Sequence, residues 1–304
     1  MIDNFKLEHI GDYYKVFTDI RVYEPFERFG LSFYPRYNRN GNYSYHSALY
    51  HNLLVKIYGD RLTIENSLHK FYHGYNHSDF THSEIVSAIE AIENYFKIPS
   101  EDLYFRRVEI ALNINYPEQV HEQIQHYKLN QFENMRKGKT VYGKKCFMSE
   151  YNIKFYNKYI EDKLNNNSYI NDRYSNDISI PKTEKRYEVE YKKMRPLKGT
   201  LTTLSDLKKK RVILALGQKI IKYFDSVVIQ SNYDYRLLTP RQRELVFAGS
   251  NSDFWDTEKI NMNTRSKKMK LYNSCIKMLD NNLSDNPKYE VKNLMLEKIH
   301  HLVT

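Results

Sequence analysis

Residues 186–192 read Arg-Tyr-Glu-Val-Glu-Tyr-Lys, and this stretch decides the fold class. Its bulky apolar side chains alternate with charged ones; the apolar ones are Tyr187, Val189 and Tyr191. Successive side chains of a β-strand point to opposite faces of the sheet, so this period of two predicts a strand with one packed face. The other face then carries Arg186, Glu188, Glu190 and Lys192.

Two further segments show the same alternation. Residues 106–112, Arg-Arg-Val-Glu-Ile-Ala-Leu, place Arg107 and Glu109 opposite their apolar side chains. Residues 152–158, Asn-Ile-Lys-Phe-Tyr-Asn-Lys, place three polar side chains on one face in the same way. If the three strands pair in one sheet, a single surface gathers Glu109, Glu188, Glu190, Arg107, Lys154, Lys158 and Tyr156.

This surface has the composition of a phosphoryl-transfer site. Three neighbouring carboxylates repel one another unless a cation joins them, and hard oxygen ligands select Mg²⁺ or Mn²⁺. Such an ion can hold a phosphate oxygen while Arg107, Lys154 and Lys158 bind neighbouring phosphates. The oxygen of Tyr156, placed in line, can attack phosphorus and form a covalent intermediate. The pattern therefore makes Glu109, Glu188 and Glu190 candidate metal ligands and Tyr156 a candidate nucleophile.

The same pattern has an ordinary structural interpretation. Alternating glutamates and lysines often form cross-strand ion pairs on the solvent face of an antiparallel sheet. The chain contains 28 tyrosines, and most tyrosines pack rather than react. Alternation alone therefore leaves a solvated sheet face open as the alternative.

The rest of the chain predicts an α+β fold, with an antiparallel-rich sheet carrying the active site and helices packed on one face. A hairpin is expected at residues 53–65 around Gly59-Asp60, and Thr81 with Glu84 begins a helix as a capping box. Another helix is expected at 117–128. We expect a catalytic, β-rich domain at 1–195, with a mobile loop at about 161–181. A mostly helical, basic region for DNA binding follows at 196–304.

Charge is concentrated in the second part of the chain. The formal net charge is +10, and residues from 181 onward carry 25 Lys and Arg against 14 Asp and Glu. This asymmetry predicts a polyanionic partner, and nucleic acid in particular. A predicted helix at about 264–279 is basic, and we assign its phosphate contacts to Arg265, Lys267, Lys268 and Lys270.

Composition also predicts the compartment. No stretch approaches the length of apolar sequence that spans a membrane, and residues 1–10 lack the apolar core of a signal peptide. The two cysteines, Cys146 and Cys275, form neither a disulfide framework nor a metal-binding spacing. We expect a cytoplasmic protein of a bacterial host cell, without a membrane partner.

Three segments resemble, in order and character, the motifs of rolling-circle replication initiators: residues 105–114, 151–158 and 185–193. The likeness is to the Rep_trans-type plasmid initiators and, more loosely, to the gene II replication protein of filamentous phages. It implies that Tyr156 nicks DNA and that Glu109 stands in place of the family's aspartate. It further implies a 5′-phosphotyrosine intermediate and an origin presented as a single strand or hairpin. Host helicase and polymerase would be further partners, and a homodimer is a possible assembly.

Other interpretations stay open. His69, His73 and His77 recur every four residues, which would suit a metal site on a helix, but Gly74 favours a loop there. Tyr142 is a rival nucleophile. In a metal-dependent nuclease the glutamates would still bind a metal ion, but Tyr156 would be structural and no covalent intermediate would form. In a DNA-binding protein without enzymatic activity the glutamates would belong to a solvated sheet face.

Overall fold

An antiparallel sheet of eleven strands dominates the structure. The computed structural model describes residues 1–11, 24–116, 120–128, 130–165, 180–229, 231–255 and 261–304. The strands are β1 (Ile2–Ile10), β2 (Phe26–Arg28), β3 (Leu31–Tyr37), β4 (Tyr43–Tyr50), β5 (Leu53–Tyr58), β6 (Arg61–Ser67), β7 (Tyr104–Asn115), β8 (Ile124–Tyr127), β9 (Asn130–Gln131), β10 (Glu133–Lys137), β11 (Thr140–Phe147), β12 (Tyr151–Asn157), β13 (Glu184–Tyr191) and β14 (Val227–Ile229). Their order in the large sheet is β10-β11-β12-β13-β7-β1-β6-β5-β4-β3-β2, and β14-β8-β9 form a small sheet.

The helices lie between strands in the first part and follow one another in the second. They are α1 (Leu68–His73), α2 (His82–Phe96), α3 (Val120–Gln123), α4 (Lys158–Leu164), α5 (Lys210–Phe224), α6 (Pro240–Gly249), α7 (Met262–Asn281) and α8 (Pro287–Val303). The predicted α+β class, with a late helical part, is thus confirmed. None of the helices in the described ranges combines the length and hydrophobicity that a membrane crossing requires.

One face of the large sheet packs against helices. The buried side chains of α2, α5 and α8 join those of the strands in one hydrophobic cluster. In α2 the capping box of Thr81 and Glu84 fixes the first turn, and Ile85, Ile89 and Ile92 form the buried stripe. The strand residues of this core alternate as predicted: Val108, Ile110, Leu112, Ile153, Phe155, Tyr187, Val189 and Tyr191. Burial of this face leaves the opposite face, here called the outer face, to the polar side chains.

A smaller hydrophobic cluster holds the late helices together. It includes Leu245 and Val246 of α6, and Tyr272 and Ile276 of α7. Trp255 is 2% exposed within it, and its indole N–H donates to the carbonyl of Gly249 at 2.8 Å. The basic helix therefore rests on its own small core.

Two local predictions differ from the structure. The helix expected at 117–128 is limited to α3 in the described residues, because the chain then forms β8, which pairs with β14 from about 100 residues later. Such a long-range pairing overrides local helical periodicity. Helix α4 continues to Leu164, so the first residues of the expected loop are helical, while 166–179 lie outside the described residues.

Candidate metal centre and tyrosine

The register of three neighbouring strands brings the predicted polar side chains together. Strand β13 lies between β12 and β7. Directly opposed residues of paired strands point to the same face. Lys154 lies opposite Glu188, Tyr156 lies opposite Arg186, and Glu190 lies opposite Glu109. The strand phasing deduced from the sequence therefore holds for this part of the outer face.

Strand β1 adds a carboxylate that sequence reasoning missed. Between Ile2 and Phe5 the pairing with β7 shifts, because β1 has one residue more than its partner in this interval. This bulge directs both intervening side chains to the outer face. Asn4 donates its side-chain N–H to Glu109 Oε2 at 2.7 Å, and Asp3 accepts from the Nη2 of Arg186 at 2.5 Å. The alternation of apolar and polar residues in Ile2–Ile10 is the sequence signal that could have revealed this strand.

Asp3, Glu109 and Glu188 form the candidate metal centre. One carboxylate oxygen of each lies within 4.8 Å of the others. The three side chains are only 4%, 6% and 2% exposed. In the described part of the chain this is the one group of three or more His, Cys, Asp or Glu side chains close enough to share an ion. All three offer hard oxygen ligands, which fits Mg²⁺ or Mn²⁺.

Basic side chains neutralise part of this cluster. The ammonium of Lys154 lies 2.5 Å from Glu188, 3.3 Å from Glu190 and 3.7 Å from Glu109. The guanidinium of Arg186 lies between Asp3, at 2.5 Å, and Glu188, at 3.4 Å. Four carboxylates thus share the buried Arg186 and the partly buried Lys154, with Lys145 at the edge, 3.3 Å from Glu190. The centre keeps an excess of negative charge.

The pKa values show which carboxyl is most easily protonated and so relieves this excess of negative charge. Burial raises the pKa of Glu109 to about 7, and the charge of Glu188 adds to the rise. Burial acts in the same direction on Glu188, but Lys154 and Arg186 outweigh it and lower the pKa of that carboxyl. Asp3 is also buried, yet Arg186 holds its pKa well below the usual range. Glu109 is therefore the candidate ligand whose carboxyl titrates near neutral pH in the metal-free protein.

The phenol of Tyr156 is hydrogen-bonded to one carboxylate of this centre. Its hydroxyl donates to Glu188 Oε2 at 3.1 Å. Burial raises the pKa of Tyr156 well above its usual value, and the charge of Glu188 raises it further. The side chain is 6% exposed. The neighbouring carboxylate is the group placed to accept its proton.

Gly143 makes room for this tyrosine. It lies opposite Tyr156 in the β11–β12 pair. A Cβ on Gly143 would lie 2.1 Å from the Cβ of Tyr156, well inside any contact distance. The ring of Tyr142, the rival nucleophile, packs edge-on against that of Tyr156 with centroids 6.2 Å apart. Of the two tyrosines, it is Tyr156 whose hydroxyl hydrogen-bonds to a carboxylate of the cluster.

The other predicted site residues lie around the centre rather than in it. Lys158 begins α4, and its ammonium is held by Glu161 at 2.6 Å and Asp162 at 3.1 Å. Arg107 lies opposite Lys6 on the outer face, and its buried Nε has no hydrogen-bond partner among the residues that the structure describes. Glu190 accepts from Asn152 at 3.1 Å and from lysines, and it is not one of the three clustered ligands.

The basic helix and the three histidines of the sequence prediction contribute no side chain to the carboxylate cluster. In α7, Lys267 and Lys270 are exposed, Arg265 is partly buried, and Lys268 lies 5.1 Å above the ring of Phe254. Helix α1 ends at Gly74, whose φ of 84° is left-handed, so the histidine repeat does not continue along one helix. His69 instead stacks on Phe80, and burial lowers its pKa to about 2.

Comparison of the chain with models of known protein families and with curated protein sequences finds no match.

Proposed function

We propose that this protein is a metal-dependent endonuclease that nicks single-stranded DNA through Tyr156 and acts as a rolling-circle replication initiator. The observation that carries the proposal is the 3.1 Å hydrogen bond from the Tyr156 hydroxyl to Glu188, a member of the carboxylate cluster. A nucleophile and its proton acceptor are thereby joined to a candidate cation site. The three ordered motifs of the resemblance support the same assignment.

The chain's own groups provide the parts of the reaction. Glu188, a carboxylate at neutral pH, accepts the phenolic proton while the Tyr156 oxygen attacks phosphorus. The P–O3′ bond breaks, the 5′-phosphate stays on the tyrosine, and the 3′ oxygen takes up a proton from solvent. Lys154 provides positive charge beside the reacting phosphate. A Mg²⁺ or Mn²⁺ ion held by Asp3, Glu109 and Glu188 would stabilise the charge that develops on the phosphate. Attack by the freed 3′-hydroxyl reverses the transfer and rejoins the strand.

In this proposal the basic helix α7 contributes to binding of the origin DNA. Between Met262 and Leu279 the sequence of α7 contains five basic residues and no acidic one. Lys267 and Lys270 are exposed on this helix. Phosphate contacts of this kind position a protein on DNA and supply most of its non-specific affinity.

A second candidate function follows from one observation. The side chain of Tyr156 is only 6% exposed, which also suits a tyrosine that merely orients Glu188. In that case the carboxylate centre is that of a metal-dependent nuclease in which water attacks the phosphate. No covalent intermediate would form.

One gel assay tests both candidates. Single-stranded oligonucleotides of randomised sequence, labelled at the 3′ end, are incubated with the protein and Mg²⁺ or Mn²⁺, then resolved under denaturing conditions. A labelled protein adduct that is absent in Tyr156→Phe and present in the neighbouring variant Tyr142→Phe supports the initiator. Cleavage without an adduct supports the second candidate. Binding without cleavage contradicts both and leaves a DNA-binding protein.

A further inference from the structure

The outer face continues well beyond the carboxylate centre, across β1 and β6 to β3. Two rows of directly opposed residues show that the same face extends from strand to strand. One row is Tyr34, Ser47, Lys56, Thr63 and Glu8. The other is Leu49, Leu54, Glu65, Lys6 and Arg107. Opposed side chains share a face, and Arg107 is two residues from Glu109, so both rows lie on the same side as the centre.

Tyrosines are spread over this part of the outer face. Tyr34 of β3 is 53% exposed, and Tyr104, opposite Glu8, is 43% exposed. Tyr45 is partly exposed, and the ammonium of Lys56 lies 5.3 Å from its ring centroid. Tyr58, opposite Arg61, is also partly exposed. Open aromatic faces next to cations are the groups on which unpaired bases stack.

The charges of this region favour a polyanion. Two of its acidic side chains are each contacted by two basic ones: Lys6 and Lys56 lie 2.9 Å from Glu65. Arg106 and Arg61 lie 2.5 and 3.9 Å from Glu8. Arg36 and Arg107 add two further positive charges, and Arg36 is exposed, with its Nε donating to Ser47 at 2.8 Å. Asp60, in the turn between β5 and β6, adds a third acidic group and lies 3.7 Å from Arg61. Six basic groups against three acidic ones leave an excess of positive charge beside the tyrosines.

We propose that this part of the outer face binds single-stranded DNA and leads it to the carboxylate centre. The proposal rests on DNA being the substrate of the proposed function. Four strand spacings of about 4.8 Å separate β4 from β7, so the surface spans roughly 19 Å, enough for several nucleotides. Bases stack on Tyr34 and Tyr45 while Arg36 and Lys56 contact phosphates. Paired bases already stack within a duplex, so this surface discriminates in favour of the unpaired strand.

Binding in EDTA tests the proposal without cleavage. Fluorescence anisotropy is measured with a labelled mixed-sequence single strand and with the duplex of the same sequence. Tyr34→Ala and Arg36→Gln are the test variants, Tyr34→Phe keeps the aromatic ring, and Tyr289→Ala removes an exposed tyrosine of helix α8. Urea unfolding of each variant confirms that it is folded; Tyr34 and Arg36 are exposed, so their replacement leaves the core intact.

The expected result distinguishes base stacking from electrostatic attraction to the phosphates. Tyr34→Ala weakens single-strand binding about tenfold and duplex binding much less, because one stacked base is lost. Tyr34→Phe and Tyr289→Ala bind as the unmodified protein does. Unchanged single-strand affinity in both Tyr34→Ala and Arg36→Gln overturns the proposal, and so does an equal loss for single strand and duplex. Absence of the Tyr156 adduct would contradict the proposed function while leaving this binding result to be judged separately.

Discussion

The hydroxyl of Tyr156 lies 3.1 Å from Oε2 of Glu188, to which it donates a hydrogen bond, while Glu188 Oε1 accepts from Lys154 at 2.5 Å. A single carboxylate therefore bridges the phenol and the ammonium. Both contacts follow from the pairing of β12 with β13. This geometry makes Glu188 the residue that connects Tyr156 to the candidate metal centre.

Glu188→Gln is expected to slow adduct formation about 100-fold or more, because an amide cannot accept the phenolic proton. Glu190→Gln is the matched control, since Glu190 lies outside the three-ligand cluster. The rate is measured as labelled adduct against time on a denaturing gel. Equal rates in the two variants would contradict a proton-accepting role for Glu188.

Gly143→Ala tests the position of Tyr156 while leaving the tyrosine side chain itself unchanged. The added methyl group would overlap the Cβ of Tyr156, so the strands must separate locally, at a cost of about 1–3 kcal/mol in the free energy of unfolding. The adduct should be lost even where the protein remains folded. Thr140→Ala, at an exposed position of the same strand, should affect neither property. Full adduct formation by Gly143→Ala would refute the tight β11–β12 contact.

The pKa of Glu109 predicts how stability of the metal-free protein depends on pH. The native protein keeps this proton up to about pH 7, whereas the unfolded chain releases it near the ordinary value of 4.5. The native state thus binds more protons in this window, so the free energy of unfolding contributed by Glu109 falls as pH rises through it. Glu184, whose pKa burial also raises to about 7, acts in the same direction.

Urea unfolding in EDTA at several pH values from 4.5 to 7 measures this slope. Glu109→Gln should make the slope of the free energy of unfolding against pH more positive, because the falling contribution of Glu109 is gone. Buried histidines such as His69 and His126, whose pKa values burial lowers, contribute in the opposite direction in both proteins. Lys198→Gln, at an exposed lysine outside the centre, should leave the slope unchanged. Identical slopes for Glu109→Gln and the unmodified protein would show that Glu109 titrates normally.

Arg186→Met should destabilise the protein by about 3–5 kcal/mol, because Asp3 and Glu188 would stay buried with less compensating charge. Arg195→Met provides the comparison. Arg195 pairs with Glu150 but is 80% exposed, so its loss should cost about 1 kcal/mol or less. Urea denaturation midpoints measure both. A cost for Arg186→Met as small as that for Arg195→Met would mean that the cluster does not depend on this guanidinium.

Lys267→Gln and Lys270→Gln are expected to weaken DNA binding uniformly across sequences. Each should reduce the salt dependence of affinity by about one unit of slope, the signature of one lost phosphate contact. Lys198→Gln, at another exposed lysine, should leave the slope unchanged. Titrations at several salt concentrations distinguish these outcomes, and equal slopes for all three variants would exclude α7 from the DNA contact.

The sequence predicted the faces of strands better than the contacts between distant ones. The period of two placed Tyr156, Lys154 and Glu188 together because alternation is a local property of the backbone. Asp3 was missed because its place depends on a bulge and on pairing with β7, more than 100 residues away. Lys158 was expected on the strand face, but Asn157 caps α4 by accepting from the backbone N–H of Ile160, which turns the chain. A capping asparagine competes locally with strand extension.

The position of β1 between β7 and β6 also determines when the centre can come into existence during synthesis. Asp3 leaves the ribosome before its partners Arg186 and Glu188, which follow some 180 residues later. Until β13 has been made and has paired with β7, the nascent chain holds no complete cluster. Under the proposed function, a chain in which β13 has not yet paired with β7 would be unable to cleave DNA, so strand cutting would depend on completed folding.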